Sequence, residues 1–281
     1  MFFIISGGLT KREKELKAFY HKVWNNLVIP LLILTFLRIL INICIQILDD
    51  SLNPVEILKY QFIYGVLGKQ SVLGPLWFVY TLIVIKVIHQ WCPQSLEFYV
   101  AALFSILAYY YNHSSPFHQL LIQNSFTDVF TAYPMFCIGV YIKTQIKTLY
   151  RKVESRKSII SVFCCMCIFL ACSKLNGYVW MYRCGYGQDL LLFFIGALSG
   201  TFLIFFVSYY LRRSSHVITI SKGTILILGF HSYFIDLFRN IIPSSTFLDY
   251  ISSALIIVLF IPLIKITERY FPMVLGKNRI R

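Results

Sequence analysis

The stretch Trp24–Leu48 reads WNNLVIPLLILTFLRILINICIQIL, and it decides the fold. A single charge, Arg38, interrupts an otherwise apolar run. A helix of about 20 apolar residues crosses a hydrocarbon core of about 30 Å, so this run is long enough to span a bilayer. The whole chain agrees with it. Of its 281 residues 58% are hydrophobic and only 14% are charged, and its mean hydropathy is +0.69. Water-soluble domains carry about 25% charged residues. Lipid is therefore the solvent for most of this chain.

Seven further apolar runs are bounded by polar or charged clusters: Val72–Trp91, Leu96–Tyr111, Asp128–Ile142, Ser158–Leu175, Asp189–Leu211, Gly223–Ile242 and Phe247–Lys265. The predicted fold is all-α: a polytopic transmembrane helical bundle of eight complete spans. An N-terminal partial helix precedes them, because the run that opens MFFIISGGL is too short to span. Pro54–Gln70 is apolar on one side and holds Glu56, Lys59 and Lys69, so it is predicted to be an interfacial or re-entrant helix. The longest loops leave no room for a soluble domain. One membrane-embedded domain is expected over 1–281, with 266–281 as a basic cytoplasmic tail.

The net charge of +14 has two explanations. A basic chain can bind nucleic acid, and cytoplasmic loops of membrane proteins also collect Lys and Arg. Threading eight spans from Trp24 separates the two. One side receives 19 of the 26 Lys and Arg, in the clusters Lys11–Lys22, Lys143–Lys157, Arg212–Lys222 and Lys265–Arg281. The other side receives Lys59, Lys69, Lys174, Arg183 and Arg239. Arg38 and Lys86 stay within spans. This asymmetry predicts a membrane protein with its C-terminus in the cytoplasm and no nucleic-acid partner.

Six of the eight cysteines lie within apolar runs; the cluster Cys164–Cys172 could form a metal or redox site, but small apolar side chains packing in a helix are the better reading, so no metal is expected. Cys92 and Cys184 fall in loops predicted on opposite sides of the membrane. Arg38, near mid-span, must face a protein interior or a polar cavity. It could bind an anionic group such as a phosphate, or pair with an acid or with helix-end carbonyls. His231, in ILGFHSYFIDLFRN, could act as a general base or bond to a neighbouring helix. Asp236 points some 140° away from it at about 100° per helical residue, so its partners are expected from other spans. Trp77, in GPLWF, suits a membrane interface. The loop KLNGYVWMYRCGYGQ offers Asn176, Tyr178 and Arg183 as contacts for a sugar ring, although aromatic residues gather at any membrane interface.

Together these segments resemble the acyltransferase-3 family of bacterial multi-span membrane O-acyltransferases. The resemblance rests on FFIISGG (Phe2–Gly8), YHKVWNNLVIP (Tyr20–Pro30), GPLWFVYTLI (Gly74–Ile83), YPMFCIGVYIK (Tyr133–Lys143) and TILILGFHSYFI (Thr224–Ile235), in order across Phe2–Lys265. It implies transfer of an acyl group, often acetyl, from acyl-CoA to a hydroxyl of a cell-surface or lipid-linked carbohydrate. It also implies a bacterial cytoplasmic membrane. Family members carry a preceding helix ending in a histidine taken as the catalytic base, and Asn25 and Asn26 stand where they tend to place arginine. The chain is therefore expected to start inside the family's second helix. His231 and Arg38 become the catalytic candidates, and Trp77, Asn176, Tyr178 and Arg183 the substrate-binding ones. A truncated inactive relative or partner subunit, and a transporter or flippase of a lipid-linked sugar, remain open alternatives.

Overall fold

A computed structural model of the chain describes residues 2–48, 54–66, 70–113, 127–143, 145, 156–179, 181, 184–241 and 246–277. Among them the regular elements are all helical. They are α1 (Phe2–Leu9), α2 (Leu16–Val23), α3 (Ile29–Leu48), α4 (Pro54–Val66), α5 (Gln70–Leu73), α6 (Trp77–Trp91) and α7 (Glu97–His113). Then come α8 (Val129–Tyr141), α9 (Arg156–Asn176), α10 (Leu190–Leu211), α11 (Ser215–Lys222), α12 (Thr224–Ile241) and α13 (Thr246–Tyr270). Each predicted span holds a helix. So does the N-terminal stub, as α1, and the predicted interfacial segment, as α4. Three of the described helices are long and apolar enough to cross a membrane: Leu16–Gln46, Leu190–Leu211 and Leu248–Tyr270. α11 and α12 reach that length only together, and they are bent by 84°.

The first predicted span starts earlier in the structure than in the sequence reading. α2 runs into α3 through a π-helical turn, Trp24–Val28. Pro30 lies just beyond that turn. It offers no N–H to the Asn26 carbonyl and its ring crowds that oxygen, and a π turn relieves such crowding without breaking the helix.

The chain divides into two compact units. Unit 1 holds residues 1–13 and 84–212. In it α9 pairs with α10, and α8 packs against both α1 and α7. The α1–α8 crossing is set by two glycines. A Cβ on Gly7 would overlap the Phe136 carbonyl oxygen, and one on Gly139 would overlap the Ile4 carbonyl oxygen. Small residues let helix backbones meet in this way, and in lipid such contact is what holds helices together. Both obstacles are backbone atoms, so neither can rotate aside. Gly139→Ala is therefore expected to lower fold stability by about 1–3 kcal/mol. Thermal unfolding in detergent reads this directly, and an unchanged midpoint would mean that the crossing is loose.

Unit 2 holds residues 14–83 and 213–281. Its core joins Leu31 and Leu34 of α3, Leu73, Leu76 and Val79 around the start of α6, Leu226 of α12, and Ile256, Phe260 and Ile264 of α13. Val274 and Leu275 also join it, from a 3-10 turn at Pro272–Leu275. The segment predicted as a basic tail is thus partly folded: α13 continues to Tyr270, and the turn after it docks into the core. Lys277 then returns to Glu268 at 2.7 Å, beside Lys222 at 3.3 Å.

Candidate functional site

Arg38 lies on the inward face of α3 and is 7% exposed. Its Nη1 donates to the Gly229 carbonyl at 2.6 Å and to Ser232 Oγ at 3.3 Å, both on α12. Its guanidinium carbon sits 4.8 Å from the centre of the Tyr233 ring. Tyr233 is in turn fixed by donating its hydroxyl to Asn42 Oδ1 at 2.7 Å, one turn along α3 from Arg38. Two glycines make room for this. Gly229 brings α12 against Leu34, close enough that an added Cβ would lie 3.4 Å from Leu34 Cδ2. Gly74, at φ +51°, leaves Arg38 Nη2 the space that any Cβ would fill. The glycine of the GPLW motif is thus required twice, for its positive φ and for the guanidinium.

The sequence left Arg38 a choice between an acid, helix-end carbonyls and an anionic ligand. Its protein acceptors are a mid-helix carbonyl and a hydroxyl, both on Nη1. Among the described residues no carboxylate pairs with it, and its Nε has no partner. The Nε and Nη2 edge of a guanidinium is the fork that grips carboxylate or phosphate side-on. That edge is buried: Nε has no acceptor among the described residues, and Nη2 packs against Gly74. The site is an apolar, aromatic-backed cation suited to an oxyanion.

His231 is on the same helix but not on the same face. It is two residues from both Gly229 and Tyr233, about 160° around the helix axis, so it points away from Arg38. Its partner lies within its own helix, the Ile227 carbonyl at 2.9 Å from Nδ1, where a neighbouring span was expected. A carbonyl only accepts, so Nδ1 carries the proton in the neutral ring. Nε2 then keeps its lone pair and is the basic nitrogen.

The predicted sugar-contacting residues divide differently. Trp77 is half-buried at the start of α6 and meets Phe78 edge-on. Arg183 lies outside the described residues. Asn176 is 2% exposed and serves its own loop: it donates to the Tyr186 carbonyl at 2.6 Å and accepts from the Asp189 amide at 2.7 Å. Tyr178 is exposed, and with Asn176 it lines one end of an apolar cavity of about 560 Å³ between α9 and α10. Cys184 of the same loop is fully buried at φ +54°, its thiol donating to the Thr127 carbonyl at 3.3 Å. Burial, with Asp128 nearby, pushes that thiol up to about 12, so it is not a nucleophile at neutral pH.

Sequence reasoning missed a polar cluster in unit 1. Glu97, at the start of α7, is 1% exposed. Its Oε1 takes Arg12 Nη2 at 2.6 Å, and His89 Nδ1 lies 2.5 Å from the same oxygen, out of line for an aligned hydrogen bond. Arg12 also donates to the Cys92 carbonyl at 2.6 Å, and Gln90 bonds the Glu13 backbone. Lys86 and Lys143 reach Thr10. Residues 10–13 are thereby strapped across the ends of α6, α7 and α8. A lone carboxylate at the mouth of an apolar run was the available signal. Cys92 lies by Arg12 at this end of the cluster, and Cys184 by Thr127 near the start of α8.

A chain of such apolarity, helical throughout its described elements and with a buried cation facing protein, is an integral membrane protein. A family model described as an acyltransferase domain matches residues 1–266. The chain belongs to the acyltransferase-3 family and is a membrane acyltransferase. No curated protein and no solved structure matches it.

Proposed function

We propose that this protein transfers an acyl group, acetyl in the first instance, from acyl-CoA to a hydroxyl of a cell-surface or lipid-linked carbohydrate. The observation that carries this is Arg38: a buried guanidinium with no carboxylate partner among the described residues, in a chain of this family. The polyphosphate end of the donor is the anion it suits. The charge asymmetry of the loops supports eight spans with the C-terminus inside, on the side where acyl-CoA is made, and the family supports a bacterial cytoplasmic membrane.

In the reaction a sugar hydroxyl attacks the thioester carbonyl, the carbon–sulfur bond breaks, and a base takes the hydroxyl proton. Nε2 of His231 is the proposed acceptor of that proton. Arg38 and His231 face apart, and this suits the donor. In a coenzyme A thioester the phosphates and the reacting carbonyl sit at opposite ends of the pantetheine arm. The loop bearing Tyr178 is the proposed acceptor contact, with Trp77 and Arg183 as further candidates and Asn176 shaping the loop.

The test is acetyl transfer in proteoliposomes. Purified chain, labelled acetyl-CoA and lipid-linked or free glycan acceptors should give labelled glycan above protein-free vesicles. His231→Ala should abolish it. Movement of glycan across the vesicle wall without acylation would instead support a flippase.

A further inference from the structure

α12 has a second face that the Arg38 site does not use. Gly229, Ser232 and Tyr233 turn toward Arg38 of α3. His231 turns the other way. At about 100° per residue, Phe234, Ile235 and Phe238 all fall within about 60° of it. Phe234 meets Phe260 of α13 edge-on, with ring centres 5.2 Å apart. His231 therefore lies on the side of α12 that faces α13.

Further along that side, toward the C-terminal end of α12, the two helices part around a cavity of about 120 Å³. Its apolar wall includes Ile235, Phe238 and Ile256. Its polar wall is Arg239 of α12 with Asp249, Ser252 and Ser253 of α13. Ser252 is half-buried, and Arg239, Asp249 and Ser253 stand exposed at the rim. Among the described residues no ion pair joins Arg239 to Asp249, so neither charge is spent on the other. Ser253 donates to the Asp249 carbonyl at 2.7 Å, and its hydroxyl oxygen can still accept.

This mixture selects a chemical class. An anion would meet the Asp249 carboxylate, and a hydrocarbon chain would cover Arg239 and two hydroxyls without bonding them. A sugar ring has an apolar C–H face and an edge of hydroxyls, each both donor and acceptor. Phe238 offers a flat apolar surface to the face. Arg239 donates through a planar fork, and the Asp249 carboxylate accepts, so a hydroxyl edge is met in both senses. The volume is well below the about 300–1,000 Å³ of a whole-ligand pocket, which suits one ring of a longer glycan.

We propose that this cavity between α12 and α13 is the acceptor's sugar subsite, seating one ring against Phe238 with Arg239, Asp249 and Ser252 on its hydroxyls. It rests on the carbohydrate acceptor proposed above, and on the threading that turns this end of α12 away from the cytoplasm. Ile235, in the cavity wall, is one turn from His231, about 6 Å along the axis at 1.5 Å per residue. The acceptor thus approaches the proposed base along one helix face, while Arg38 holds the opposite face for the donor.

Two measurements on the full chain test it. The first is titration calorimetry in detergent with short neutral, N-acetylated and uronic-acid oligosaccharides, which needs no catalysis. At least one should bind the wild type. Ser252→Trp, which fills the cavity, should abolish that binding. Arg239→Ala and Asp249→Asn, both at exposed positions, should weaken it on the order of tenfold, the scale for hydrogen bonds to charged groups. The second is acetyl transfer in proteoliposomes, where the same two variants should raise KM for the glycan and leave KM for acetyl-CoA unchanged. If no oligosaccharide binds the wild type, or if binding survives unchanged in Ser252→Trp and Arg239→Ala, the subsite is overturned. Cavity-dependent binding without acetyl transfer would keep the subsite and remove the acyltransferase reading.

Discussion

Glu97→Ala is expected to cost about 3–5 kcal/mol of fold stability, the scale for removing one partner of a buried ion pair. The loss comes less from the attraction than from what is left behind. Arg12 is only partly exposed, with a 28% exposed side chain, and it would keep its positive charge against an apolar helix end. His89, 3% exposed, would lose the oxygen beside its Nδ1. Thermal unfolding of the purified protein in detergent checks the size of the effect. A double variant gives the sharper result. Arg12→Ala with Glu97→Ala removes both charges, so it should lose less than the sum of the single variants. Strict additivity would mean that the contact is solvent-screened and does not hold the 10–13 strap.

The sequence made some of this legible and hid the rest for physical reasons. Lipid-facing helices advertise themselves, because each residue that touches hydrocarbon must be apolar. α10 is therefore readable nearly to the residue, and Arg38 stands out as the one charge in its run. The identity of Arg38's partners is not legible. Ser232 and Tyr233 are ordinary helix residues, and they meet Arg38 across 194 and 195 positions of chain. His231 shows the converse. Its residue type draws attention, yet the helical angle to its neighbours on α12 turns it away from the arginine once Gly229 and Ser232 are known to face α3. Asn176 reads as a sugar contact for the same reason. Buried loop scaffolds and carbohydrate sites use the same amide and aromatic chemistry, and only burial separates them. Glu97 gives little signal because a charge beside a loop is usually solvated.

Arg38→Met should lower kcat/KM for acetyl-CoA by about a hundredfold while leaving the fold nearly as stable as before. The activity term follows from losing a charged, fork-shaped contact to the donor's anion, worth about 1.5–3 kcal/mol, with tenfold per about 1.4 kcal/mol. It should appear chiefly in KM for the donor, because the phosphates are bound equally in ground and transition states. The stability term is a near-cancellation. Methionine forfeits the bonds to Gly229 and Ser232 and the contact with Tyr233, the last worth about 0.5–2 kcal/mol. It also removes a mid-span cation that costs at least about 2.5–3.5 kcal/mol on insertion scales. These terms have opposite sign and similar size, so the unfolding midpoint should move little in either direction. A structural arginine would behave differently: stability and activity would fall together, and KM for the donor would stay fixed in whatever folded. Arg38→Lys separates charge from shape. It keeps the cation but not the planar fork that suits an oxyanion side-on, so its donor KM should fall between those of wild type and Arg38→Met.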